Sequence, residues 1–180
     1  MATPNLSPNQ IAQVSGLVAT YIRAQRERFA ARATELPRDL GVRMNGFFRP
    51  ELLNSTRALV LENERVGNPE FYPMLDELGF RNLPNFQTMA AITFNDIIVS
   101  HQPLDARILF HELVHVEQYR QLGVERFAEL YVRGFLSGGS YEAIPLEVSA
   151  YGLEGTFLRA PHRPLSVENE VAAWIRDGRF

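Results

Sequence analysis

The chain has 180 residues and a mass of 20.4 kDa, the size of one ordinary domain. At 46% hydrophobic and 22% charged, its composition excludes a disordered or fibrous protein. The absence of cysteine excludes disulfide scaffolds, thiol nucleophiles, iron–sulfur clusters and cysteine-ligated zinc, and a formal net charge of −3 leaves no basic excess to grip nucleic acid.

All 18 basic residues are Arg. A coding sequence rich in Arg codons is the plain explanation. A chain that cannot be ubiquitinated on a side chain, as would suit an effector inside a eukaryotic host, is the sharper one. No stretch reaches the ~18 continuous apolar residues of a spanning helix. Residues 1–10 are polar, with two prolines and no basic start. The sequence therefore predicts a soluble protein, cytoplasmic by default and without membrane contact, with signal-independent export as the other route.

In chain order, Ser7-Pro8 opens a helix in which Ile11, Val14, Leu17, Val18, Tyr21, Ile22 and Phe29 recur at helical spacing. It is predicted over 7–36, ending before Pro37, with Arg23, Arg26, Arg28 and Arg32 on a solvated face. A Gly- and Pro-bearing connection follows, then a short helix over 50–54, a strand over 57–61 and a short helix over 69–78 stopped by Gly79. Residues 88–100 read as a β-hairpin turning at Asn95-Asp96. Pro103 and Asp105 open a helix running to Leu122 and closed by Gly123. Residues 124–136 form another, ending at Gly138-Gly139; Ser140 caps a third over 141–158, with Pro145 in its early turns, and a last helix covers 167–176. No repeat or linker divides the chain. The fold class is α+β: a single, mostly helical domain with a small sheet and its chemistry in the second half.

That chemistry is His111-Glu112-Leu113-Val114-His115. Residues four apart share a helix face, so two imidazoles there converge on one ion. The carboxylate after the first His reaches a water on that ion without binding the metal itself. The plain alternative, two unrelated histidines on an amphipathic helix, is weakened because they are half of the four His in the chain. A catalytic zinc needs a third protein ligand and an open position. A third His six residues past the second, with glycine midway, completes one class of such sites; Gln118 and Gln121 stand at those places here. Glu142, Glu147, Glu154, His101 and His162 remain. Glu147 leads, because its helix follows the Gly138-Gly139 break and its neighbours Ile144, Leu146, Val148 and Ala150 are apolar, so a lone carboxylate there needs a reason. Glu154 is either an acceptor for a ligand His or a surface residue.

The HExxH motif, followed by Leu146-Glu147-Val148-Ser149-Ala150-Tyr151, resembles the zincin metallopeptidases whose third ligand is glutamate, the gluzincins. More narrowly, His-Glu-Leu-Val-His-Val-Glu-Gln-Tyr with residues 91–99 upstream is similar to a compact bacterial family of presumed metallopeptidases. Members of that family are often attached to toxins of contractile injection systems. The resemblance spans about residues 88–155. It implies a zincin-like fold, one Zn2+ per chain held by His111, His115 and Glu147, and hydrolysis of peptide bonds in a peptide or protein substrate with Glu112 as general base. An inhibitory or secretion partner would fit a small protease without a pro-region. Many gluzincins carry an acid one turn after the glutamate ligand, where this chain has Tyr151. Tyr141, Tyr151 and Arg residues are the oxyanion donors on offer. The resemblance also gives an edge strand to the substrate, either arm of the hairpin around 91–94 or 97–100. Phe47-Phe48 and Phe71-Tyr72 read as core, and Gly138-Gly139 lacks the Lys of a phosphate loop. A non-catalytic zinc-binding module is the rival reading, with a toxin-associated domain or a zinc hydrolase of non-peptide substrates behind it.

Overall fold

The computed structural model describes residues 4–180; Met1, Ala2 and Thr3, which begin the polar N-terminal stretch, lie outside the described residues. Helix α1 spans Pro8–Ala30. Ser7 caps it through a reciprocal pair with Gln10, the Ser7 hydroxyl accepting from the Gln10 N–H and the Gln10 side chain accepting from the Ser7 N–H. The helix stops six residues short of the predicted end, because Thr34–Glu35 forms a short strand, β1, antiparallel to β2, Arg57–Val60. Between them, inside the predicted connection, lie α2 (Arg38–Met44) and α3 (Pro50–Ser55). Helix α4 is Tyr72–Glu77, shorter than predicted.

The hairpin is present as β3 (Ala91–Phe94) and β4 (Ile97–Ser100), turning through Asn95 at φ 61°, a conformation Asn tolerates. The sheet order is β1-β2-β4-β3, with β2 and β4 parallel and β3 antiparallel to β4. Strand β4 is interior and buried at every position, as a doubly covered strand should be. Of the two hairpin arms, only β3 therefore offers a free edge, which corrects the assignment of a substrate-pairing role to 97–100.

Helix α5, Ala106–Gly138, runs through the middle of the molecule. Asp105 caps it by accepting from Ile108 N–H at 2.7 Å. At Gly123 the backbone leaves helical geometry (φ 74°, ψ 162°), so the two predicted helices are two arms joined at the predicted glycine. The first arm is enclosed: Leu109, Phe110, Leu113 and Val114 have no exposed surface, and they pack with Phe47, Phe48 and Phe157 in one core cluster. The second arm packs Phe127, Val132 and Phe135 with Val14 and Ile22 of α1 in another.

After Gly139, at φ 72°, the chain does not enter the predicted 141–158 helix directly. Tyr141–Ala143 is a 3-10 turn, Ser140 makes no side-chain cap bond, and Ile144 is extended (φ −63°, ψ 125°). The residue before a proline is pushed out of helical geometry, so α6 starts at Pro145 and runs to Arg159. Gly134 makes this close return possible: a Cβ there would stand 2.6 Å from Pro145 Cδ. Helix α7 is Val167–Arg176. The Arg-rich face of α1 is more than solvated. Arg26 forks onto Asp96 in the hairpin turn through two 2.9 Å bonds, and Arg28 and Arg32 both reach Glu64. Among the described residues, no helix is long and apolar enough to cross a membrane.

Candidate metal centre

The first arm of α5 carries His111 and His115 one turn apart, and the start of α6 brings Glu147 against them. All three are buried. Their facing atoms form a triangle: His111 Nε2 to His115 Nε2 is 3.2 Å, and Glu147 Oε2 stands 3.5 Å from the first and 3.3 Å from the second. Donors held 2.0–2.1 Å from one ion at tetrahedral angles are separated by about 3.3–3.4 Å, so the triangle has the dimensions of one face of a zinc tetrahedron.

The tautomers agree. His111 Nδ1–H donates to Glu154 Oε2 at 2.9 Å, and His115 Nδ1–H donates to Gln118 Oε1 at 2.9 Å. With each Nδ1–H so committed, both Nε2 atoms face inward, where each can take a proton or a metal ion. Glu147 Oε2 is buried with no hydrogen-bond partner. Three such atoms aimed at one point repel unless a proton or a metal cation sits between them, so these residues fit a metal ion. The electrostatics point the same way. Burial opposes a charge on His111, but Glu147 and Glu154 outweigh it and push its pKa up to about 10. Burial likewise opposes the Glu147 carboxylate, but His115 and His111 overcome it and hold its pKa down to about 2. The site attracts positive charge.

Each ligand His is held from behind. Glu154 is itself steadied by Arg107, whose guanidinium lies 3.4 Å from Oε1. Glu154, two turns after Glu147 on α6, rather than Tyr151 thus supplies the acid behind His111. Gln118, wholly buried, passes its Nε2–H to the carbonyl of Leu146 at 2.9 Å, tying His115 to the residue before Glu147. Glu112, between the ligands and also buried, accepts at Oε2 from the Thr93 hydroxyl of β3 at 2.7 Å.

Two clefts meet here. One, beneath α1, reaches Glu112, His115, Glu147 and Tyr141. The other is bordered by His111, Glu112, Tyr141, Tyr151 and Arg107. Glu112 and Tyr141 line both. Tyr151 lies on the solvent side, 46% exposed, its ring centroid 4.5 Å from that of His111. The other candidate ligands stand apart. Glu142 and His162 are exposed. His101 is committed to backbone, with Nδ1–H on the Met89 carbonyl at 2.8 Å and Nε2 accepting from Val66 N–H at 3.0 Å.

The sequence reading did not single out Thr93 or Gln118 for these roles. Gln118 carried a signal, since a residue three after His115 shares its helix face; Thr93 carried none beyond being a β-former. Compared with models of protein families, with curated proteins and with solved structures, the chain matches none, so the functional reading rests on the geometry of this site.

Proposed function

We propose that the protein is a zinc-dependent endopeptidase. The observation that carries this reading is the buried His111–His115–Glu147 triangle, closed by an unpaired carboxylate oxygen and bordered by Glu112 where two clefts meet. Two imidazoles and one carboxylate suit Zn2+ with a position left open. Zinc bound there supplies a Lewis acid that lowers the pKa of a bound water toward ~7 and polarises the scissile carbonyl. Glu112 takes the proton of the attacking water and passes it to the leaving amine. Thr93 engages Glu112 Oε2 and leaves Oε1 without a protein partner among the described residues, so the base is oriented but not occupied. An extended substrate pairs with the free edge of β3, its main chain giving affinity for many sequences. Tyr141, which lines both clefts, donates to the developing oxyanion, and Tyr151 flanks the His111 side.

A carboxylate between the ligands is unnecessary for a metal that only props up a fold, and that separates this reading from a non-catalytic zinc module. The test is Glu112→Gln on zinc-loaded protein offered an unfolded protein beside small esters and amides. The expected result is full zinc content with cleavage of the protein substrate lost by at least about 100-fold. Cleavage that persists in the variant would remove Glu112 from the mechanism. A zinc-loaded wild type inert toward every protein substrate would favour the interaction module.

A further inference from the structure

We propose that Thr93 is a positioning residue that couples occupation of the free β3 edge to the orientation of Glu112. This rests on the peptidase reading and deepens it: extended chains are the substrates for which the base is set. The strand register divides the main-chain groups of the hairpin. The carbonyls of Asp96 and Ser100 accept from the N–H groups of Arg57 and Leu61 at 2.9 and 2.8 Å, so alternate residues 96, 98 and 100 bond toward β2 and residues 97, 99 and 101 toward β3. His101 N–H accordingly donates to the Ala90 carbonyl at 2.8 Å. Thr93 and Ala91 stand opposite Ile98 and Ser100, in the pairs that share no hydrogen bond with β4. Their N–H and C=O groups therefore point away from β4, to the free edge, and no backbone group of a described residue outside the sheet bonds to them.

The side chain of the same Thr93 faces α5. Ile98, opposite it, packs with Leu109 and Leu113. On that face the Thr93 hydroxyl donates to Glu112 Oε2 at 2.7 Å and stands 3.2 Å from the Glu112 carbonyl oxygen. A hydroxyl has one proton, and the carboxylate is both the nearer and the charged acceptor. Threonine is stiff at χ1, so Oγ1 moves with the main chain of β3 rather than independently of it. An edge strand is held from one side, whereas a strand with a chain laid along it is held from both. Pairing thus fixes, through one stiff residue, the carboxylate that takes the proton of the attacking water. Binding energy from parts of the substrate remote from the cleaved bond then goes into orienting the base, and it appears in kcat as well as in KM. Ala91 presents the same main-chain groups but no polar side chain, so within β3 the link runs through Thr93.

The experiment compares a blocked dipeptide with a hexapeptide that carries the same residues at the cleaved bond, on the zinc-loaded full chain. Extension should raise wild-type kcat by about tenfold. Thr93→Val keeps both edge-facing groups, so extension should still lower its KM, but its kcat should gain less than about twofold and fall roughly tenfold below wild type on the hexapeptide. Thr93→Ser restores the hydroxyl and should recover to within about threefold of wild type; Thr93→Ala repeats the comparison without the branched side chain. A cycle of binding constants stands apart from turnover. The Kd of an uncleavable hexapeptide, with a ketomethylene link in place of the cleaved amide, is measured by calorimetry for wild type, T93V, Glu112→Ala and the double variant. T93V should weaken binding by about three- to tenfold when Glu112 is present and by less than about 1.5-fold when it is absent. In hydrogen exchange the same peptide should slow the Ala91 and Thr93 amides and leave those of Ile92 and Phe94 unchanged. T93S as impaired as T93V, a length dependence of kcat that survives in T93V, or an equal effect of T93V with and without Glu112 would overturn the coupling. Wild type that cleaves neither peptide would sink the peptidase reading, while the binding cycle and the exchange pattern would still decide the coupling.

Discussion

Replacing Gln118 with Leu removes both ends of the link that runs from His115 to the start of α6. The side chain is completely buried and makes two 2.9 Å bonds, accepting from His115 Nδ1–H and donating to the Leu146 carbonyl. Leucine is close in size, so the change strands His115 Nδ1–H and takes a second donor from the Leu146 carbonyl, which keeps its bond within α6, without opening a large cavity. The stranded N–H costs about 1–3 kcal/mol and the lost bond about 0.5–1.5 kcal/mol, giving roughly 1.5–4.5 kcal/mol in all, or a fall in Tm of about 3–18 °C for a domain of this length. The effect on metal is separable. Loss of the acceptor behind a ligand His costs about 10- to 100-fold in affinity. Gln118→Glu keeps an acceptor for His115 but cannot donate to Leu146, so it should lose stability while keeping more zinc affinity than Q118L. The assays are thermal melts of the metal-free proteins and competition for zinc against a chromophoric chelator. If Q118L bound zinc within about twofold of wild type, Gln118 would not be orienting His115.

Two further predictions concern the scaffold. Gly134→Ala puts a methyl 2.6 Å from Pro145 Cδ, which should push α6 and Glu147 away from α5; a loss of about 1–3 kcal/mol together with weaker zinc binding is expected, read by melts and chelator competition, and unchanged zinc affinity would show that α6 adjusts without moving its ligand. The Arg26 side chain bonded to Asp96 holds the Asp96 carboxyl below the usual range, so its contribution is present above the unfolded pKa of about 3.9 and disappears as pH falls through the lower folded value. Asp96→Asn should therefore cost up to about 1 kcal/mol at pH 7 and nothing in strong acid, in urea melts taken across pH; a deficit that persisted in acid would mean the loss is not electrostatic.

Much of the architecture was legible because it is local. The Ser7 and Asp105 caps, the Asn95-Asp96 turn and the Gly123 joint are each set by residues adjacent to them in sequence, and the structure has all four. What was missed depends on distant partners. β1 exists because Thr34 and Glu35 meet Arg57 and Ala58, and α2 folds where Gly41 and Pro37 signal a loop but Leu40 and Met44 find the core. The interior place of β4 follows from its parallel pairing with β2, which no hairpin signal contains. The HExxH pair is one helix turn and was plain in the sequence. The structure brings Glu147 to that pair by a return through the Gly134–Pro145 contact, whereas Glu154, left between two roles, and Thr93 became identifiable only when α6 and β3 met α5.

The measurement that bears most directly on the central claim is metal content by mass spectrometry, on protein purified without a histidine tag and beside His115→Ala and Glu147→Ala. The geometry predicts about one zinc per wild-type chain, much reduced in both variants, and a melting temperature of the wild type that falls when the metal is stripped. A folded wild type that carries no metal and takes up none on titration with zinc would contradict the account, and the buried triangle of His111, His115 and Glu147 would then need another explanation.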